Sequence, residues 1–112
     1  MDEFSINSSR NGGVTVATVV GRIDSVTAIT FEEEIDRLLH KDRKVVLDIK
    51  DVVYISSAGV RAIVSLLKKE KKMGGNLKLA CMPHVVENVL KMVGMLHLVE
   101  TYPTVDEAIA SF

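Results

Sequence analysis

Residues 44–64 read KVVLDIKDVVYISSAGVRAIV. Two periodicities meet inside this stretch, and their junction decides the fold. Lys44 to Ile49 is β-branched and nearly continuous in apolar content, the pattern of a strand covered on both faces and therefore central in a sheet. Beyond Ser57 the apolar residues Val60, Ile63, Val64 and Leu67 recur at i, i+3, i+4 and i+7, one face of a helix that stops at Gly74-Gly75. A strand thus runs into a helix through Ile55, Ser56, Ser57, Ala58 and Gly59. Two adjacent hydroxyls at a helix start are most simply an N-cap, because a serine oxygen accepts a hydrogen bond from an orphan amide of the first turn.

Working outward, Ala28, Phe31, Ile35, Leu38 and Leu39 recur at helical spacing from Thr27 onward, with Glu32, Glu33, Asp36 and Arg37 on the opposite face. The Thr30 to Glu33 spacing fits a capping box. Upstream, Phe4 and Ile6, then Val14, Val16, Thr18 and Val20, alternate about Asn11-Gly12-Gly13 and predict a β-hairpin. Downstream, Leu77 to Met82 predicts a strand, and Pro83 opens a third helix with Val85 or Val86, Val89, Leu90 and Val93 on its apolar face, ended by Gly94. Leu98 to Tyr102 is expected as an edge strand and Val105 to Phe112 as a short last helix. No linker or repeat interrupts this order, so residues 1–112 are expected to be a single domain. Alternating strands and helices imply an α/β fold with parallel βαβ units, a mixed sheet carrying the N-terminal hairpin, and about four helices. Loops that follow parallel strands emerge on one edge, where ligands and partners dock. Gly21 to Ser25, Tyr54 to Ser57 and Met82 to His84 are expected to meet there.

Composition excludes several classes of function. The 112 residues carry a formal net charge of −1, so no global field draws the chain to nucleic acid or an anionic membrane. Apolar runs are only a handful of residues long, far short of the ~20 that span a bilayer, and the N-terminus lacks a signal-peptide pattern, which predicts a cytoplasmic protein. The single cysteine, Cys81, rules out an internal disulfide and CxxC chemistry and is expected as a small buried hydrophobe. His40, His84 and His97 are scattered without metal-ligand spacing, so neither a metal nor a cofactor is expected. ISSAG has Ile55 where a nucleophile elbow requires glycine, and the chain is too short for a hydrolase sheet. His84 lies on the candidate edge within conceivable reach of Ser57, yet an exposed histidine beside a helix start is the commoner arrangement. Gly74-Gly75 follows a helix and no Lys-Ser or Lys-Thr follows it, which excludes a P-loop. Lys68, Lys69, Lys71 and Lys72 read as cations complementing a helix C-terminus, and Glu32-Glu33-Glu34 as the mirror arrangement at a helix start.

Three segments also carry a resemblance. GRIDSVTA (Gly21 to Ala28), VVLDIKDVVYISSAG (Val45 to Gly59) and GGNLKLA (Gly74 to Ala80) occur in the order found in STAS domains of the anti-sigma-factor antagonist type, and the likeness runs from about Val14 to Ala108. The resemblance implies a non-enzymatic switch that binds an anti-sigma factor, itself a serine kinase, and so frees a sigma factor. It implies that the kinase phosphorylates Ser57 and that a metal-dependent serine phosphatase restores it. Ser56 stands where the family often has Asp, which makes it a second candidate acceptor. The implied partner-binding set is Asp24, Ser25, Thr27, Ile55, Ser56, Ser57, Ala58, Gly59, Val60 and Arg61. Arg61, one turn after Ser57, either pairs with the phosphate or is a simple exposed helix residue. The alternative within the same resemblance is a constitutive scaffold or accessory subunit of a transporter or signalling complex that is never phosphorylated.

Overall fold

The computed structural model describes residues 3–74 and 76–112, so Gly75 of the expected helix end and the first two residues of the N-terminal segment lie outside the described residues. In chain order the elements are β1 (Ser5–Asn11), β2 (Val14–Ile23), α1 (Thr27–Asp42), β3 (Lys44–Ile55), α2 (Ser57–Met73), β4 (Asn76–Ala80), α3 (His84–Met92), a 3-10 turn (Leu96–Leu98), β5 (Thr101–Tyr102) and α4 (Val105–Ala110). They form one five-stranded sheet of order β1-β2-β3-β4-β5. The β1–β2 pair is the expected antiparallel hairpin, and every later pairing is parallel.

Each crossover steps one strand in the same direction. Right-handedness then sends the helices joining β2 to β3, β3 to β4 and β4 to β5 to one face of the sheet. The main core lies on that face, where Phe31, Ile35 and Leu39 of α1 and Ile63 and Leu66 of α2 are buried with Val19, Val45, Leu47 and Leu79 of the sheet. A smaller cluster of Val14, Val16, Val46 and Ala80 is covered on the other face by Ala108 of α4. This two-sided burial is why Lys44–Ile49 reads as an uninterrupted apolar run. Lys78 ties α4 down: its buried ammonium donates to the Ser111 carbonyl at 3.0 Å and to the Ser111 hydroxyl at 2.7 Å, and it lies 4.4 Å from the Phe112 ring centre.

Five expectations are corrected. The helix-start box lies at Asp24–Thr27, six residues ahead of Thr30–Glu33. The first turn of α1 therefore contains no acid, and Glu32 instead reaches across to α2, accepting from the Ser65 hydroxyl at 2.7 Å and from Lys69 at 3.2 Å. The strand expected over Leu98–Tyr102 is a 3-10 turn followed by only Thr101–Tyr102, because the Leu98 and Val99 amides turn back to the Met95 and Leu96 carbonyls at 3.0 and 3.2 Å. On α3 the buried residues are Val86 and Leu90, while Val85 and Val93 are exposed. Cys81 is only half-buried and sits at φ +60 where β4 ends.

Register decides what stands beside what. Asp48 opposes Ala80, yet β3 continues seven residues to Ile55, paired with β2 alone. At ~3.3 Å per residue the loop after β4 leaves the sheet about 23 Å along the strand direction from Ile55. The chain thus leaves β4 seven β3 residues short of Ile55, and α3 packs against β3. His84 is exposed and 3.5 Å from its own helix's Glu87.

Candidate docking edge

The projecting ends of β2 and β3 and the first turns of α1 and α2 converge at one end of the molecule. Ile23 and Ile55 are register partners there, and the Ser56 amide donates to the Ile23 carbonyl at 2.9 Å. Ser56 has an extended backbone, φ −92 and ψ 173, and its hydroxyl accepts from the Gly59 amide at 3.2 Å. Its carbonyl accepts the first helical bond from Val60 at 3.0 Å. Ser56 is therefore the N-cap and Ser57 the first helical residue, a division of roles that the two-hydroxyl pattern leaves open. The Ser57 side chain is exposed and has no hydrogen-bond partner among the described residues.

Gly59 is what allows this helix to start so close to the sheet. A Cβ on Gly59 would lie 2.6 Å from Ile55 Cγ1, 2.8 Å from Ile23 Cγ2 and 3.1 Å from the Ile23 carbonyl oxygen. Only a residue without a side chain fits, so the glycine of ISSAG is explained by close approach.

Asp24 organises the neighbouring loop. Its Oδ1 accepts from the amides of Val26 and Thr27, each at 2.9 Å, while the Thr27 hydroxyl oxygen accepts from the Asp24 amide at 2.9 Å. This is a reciprocal capping box with Thr in the place usually held by Glu. The Thr27 hydroxyl donates onward to the Arg22 carbonyl at 2.6 Å. The Thr27 and Val26 amides hold the Asp24 carboxyl below its ordinary range.

The implied partner-binding residues divide by exposure. Ser25, Ser57 and Arg61 are exposed, Asp24, Thr27, Ser56 and Ala58 are half-buried, and Ile55, Gly59 and Val60 are buried beneath them. Sequence reasoning missed the apolar residues that surround the serines. Val26 is 74% exposed and Ile29 63% exposed on the start of α1. Val53 and Tyr54 are exposed on β3, with the Arg22 guanidinium 4.3 Å from the Tyr54 ring centre. A signal for Ile29 exists: it falls outside the buried set Ala28, Phe31, Ile35, Leu38 and Leu39, so it is an apolar residue off the core face. Among the described residues no group of three or more His, Cys, Asp or Glu side chains is placed to hold a metal ion, and no helix is long and apolar enough to cross a membrane.

A mixed five-stranded sheet with its crossover helices on one face, and a serine-capped helix at a rim of exposed apolar side chains, define a small α/β interaction module. The chain belongs to the STAS-domain anti-sigma-factor antagonist family: the STAS domain model matches residues 5–108. Over 101 residues it is 31% identical to a protein of Bordetella bronchiseptica named as an anti-sigma factor antagonist, BtrV, covering 89% of this chain and 87% of that one. It is 24% identical over 97 residues to the anti-sigma-B factor antagonist of Bacillus subtilis, covering 87% and 89%. The crystal structure of an anti-sigma factor antagonist from Mycobacterium paratuberculosis superposes with a TM-score of 0.86 over 98% of this chain and 94% of the other at 24% identity, a likeness of fold.

Proposed function

We propose that this chain is a cytoplasmic, non-enzymatic anti-sigma-factor antagonist that binds an anti-sigma serine kinase through the rim around Ser57 and is released when Ser57 is phosphorylated. The observation that carries the reading is the division of labour between the two serines. The Ser56 hydroxyl is occupied by the Gly59 amide, while the Ser57 hydroxyl is exposed and free. A kinase can reach Ser57 without dismantling the cap. Phosphate at that position adds about −1.5 to −2 charges beside the first-turn amides and the positive end of the helix dipole, so the fold tolerates it. The same charge enters a rim made of Val26, Ile29 and Ala58, where a partner must desolvate it. Binding is therefore what switches. A metal-dependent serine phosphatase would reverse the step.

The test is incubation of wild type, Ser56→Ala and Ser57→Ala with the cognate kinase and ATP, read by intact mass. One phosphate is expected on wild type and on Ser56→Ala, and none on Ser57→Ala. Phosphate on Ser57→Ala but not on Ser56→Ala moves the site to Ser56. Phosphate on none of the three favours a constitutive scaffold. In the binding arm Ser57→Ala holds the kinase persistently, and Ser57→Asp binds at least ~10-fold more weakly, since ~1.4 kcal/mol of uncompensated charge burial suffices for that.

A further inference from the structure

Beside α2, on the side facing the end of α3, a groove with a volume of about 580 Å³ runs from Ser57 to Lys72. Its floor is apolar: Val60 and Val64 from α2, Val93 and Met95 from the segment after α3. Its rim is cationic, with Arg61, Lys68 and Lys72 along one edge. None of these three cations has an ion-pair partner among the described residues, whereas Lys69, one position from Lys68, is held by Glu32 and Asp36 on the α1 side. A chain of net charge −1 thus keeps a row of unneutralised positive charge beside an apolar floor in which Val93 is exposed, Val64 and Met95 are half-buried and Val60 is buried.

We propose that this groove is a docking site for an acidic amphipathic helix of a partner protein. The spacing of the cations identifies the occupant. Positions 61, 68 and 72 are separated by seven and four residues, so they form one stripe on α2, ~10 Å and ~6 Å apart along the axis. A single anionic head group reaches Lys68 and Lys72 together but leaves Arg61 about 16 Å from Lys72 unanswered. A row of carboxylates repeating every three to four residues along a partner helix answers all three. The lining residues of α2 run from Ser57 to Lys72, ~22 Å along the axis, the length of about four turns of a partner helix laid alongside. The partner therefore lays an apolar i, i+4, i+7 stripe on Val60, Val64, Val93 and Met95 and turns its acids toward the cationic rim, the helix-in-groove mode of recognition. No aromatic side chain lines the groove, so it offers no platform for stacking bases of a single-stranded nucleic acid. The proposal goes beyond the switch at Ser57 and does not depend on it: most of the groove lies past the first turn of α2.

The probe is a fluorescein-labelled synthetic 15-residue peptide with Leu at i, i+4, i+7 and i+11 and Glu on the flanking positions, titrated by anisotropy at low salt. Saturable micromolar binding is expected, weakening as salt rises. The double variant Lys68→Glu/Lys72→Glu should lose about tenfold or more in affinity, whereas Lys41→Glu, an exposed cation on α1, should bind as wild type does. A scrambled peptide of identical composition should not bind, because its leucines no longer form a stripe. Both protein variants change exposed residues, and circular dichroism checks that they fold. Equal binding of the scrambled peptide, or binding unchanged in the double variant, overturns the proposal. So does absence of peptide binding when dodecyl phosphate or a fluorescein-labelled oligothymidine binds and loses affinity in the double variant, which would assign the groove to a small amphiphile or to nucleic acid.

Discussion

Adding one methyl group at Gly59 tests the geometry on which the docking edge rests. In Gly59→Ala the new Cβ lies 2.6 Å from Ile55 Cγ1 and 2.8 Å from Ile23 Cγ2. Ordinary carbon contacts begin near ~3.5 Å, so about 0.9 Å must be found. Neither neighbour can give it cheaply. Ile23 and Ile55 are 1% and 3% exposed in the core, and the contacting atoms are attached directly to their Cβ carbons. The Ile23 carbonyl, 3.1 Å from the same position, is fixed by the Ser56 amide. The start of α2 therefore has to lift. Overpacking of this kind costs ~1–3 kcal/mol, and the intrinsic advantage of alanine over glycine in a helix returns at most about 1 kcal/mol. The net expectation is a loss of ~1–2 kcal/mol, or roughly 4–12 °C in Tm for a domain of this size. Urea denaturation checks it: the midpoint should fall with an unchanged slope, since the surface exposed on unfolding is the same. Phosphorylation of Ser57 by the cognate kinase should slow in parallel, because the lifted turn carries the serine with it. A stability equal to or above wild type would mean that helix propensity dominates, and would refute the close-approach explanation.

Ser56→Ala removes the cap of α2 and should cost ~0.5–2 kcal/mol in the same denaturation experiment. Asp24→Ala opens the box at the start of α1 and should lower Tm by a few degrees. Because the Asp24 carboxyl titrates lower in the folded state than in the unfolded one, the difference between wild type and variant should be full above about pH 4 and vanish as pH falls through the folded value, as a pH series of melts would show. Glu70 has the opposite sign: burial raises its carboxyl, and its Oε2 has no hydrogen-bond partner. Its ionised form therefore destabilises the fold at neutral pH. Glu70→Gln should raise Tm near pH 7–8, with the gain shrinking as pH falls toward the ordinary carboxylate value and wild type takes up its proton on folding.

Much of this arrangement is legible before any coordinates. The alternation of strands and helices, the central strand Lys44–Ile49 and the hydroxyl pair at the start of a helix all follow from periodicity, because a sheet covered on both faces and amphipathic helices leave different repeats. Register does not. A strand buried on both sides has no alternation to index its pairing, so the seven residues by which β3 overshoots Asp48 leave no mark on composition. The box at Asp24 escaped because its third position holds Thr27, whose hydroxyl does the work that the usual template assigns to glutamate or glutamine. The apolar rim was legible only in part: Ile29 stands off the core stripe of its helix, whereas Val26 lies in a loop where no periodicity applies.

The serine at position 56, where the resemblance implies a frequent acid, gains a physical reading from the cap. An aspartate and a serine both accept from the amide two or three residues on, and both are favoured N-caps. Ser56 accepts from Gly59, so the structural duty of the position is met without the carboxylate. What changes is charge. An acid at position 56 would place a permanent negative charge one residue from the acceptor hydroxyl. With Ser56 the capping position itself carries no charge; the nearby Asp24 carboxylate is turned inward to the amides of Val26 and Thr27, and Arg61 is an exposed cation. On the proposed switch, a phosphate on Ser57 would bring a new negative charge to the rim without a neighbouring acid at 56, and Arg61, one turn along the same helix, is the cation within reach of it. On the proposed switch at Ser57 the electrostatic contrast between the two states would therefore be larger with serine at 56 than with the acid.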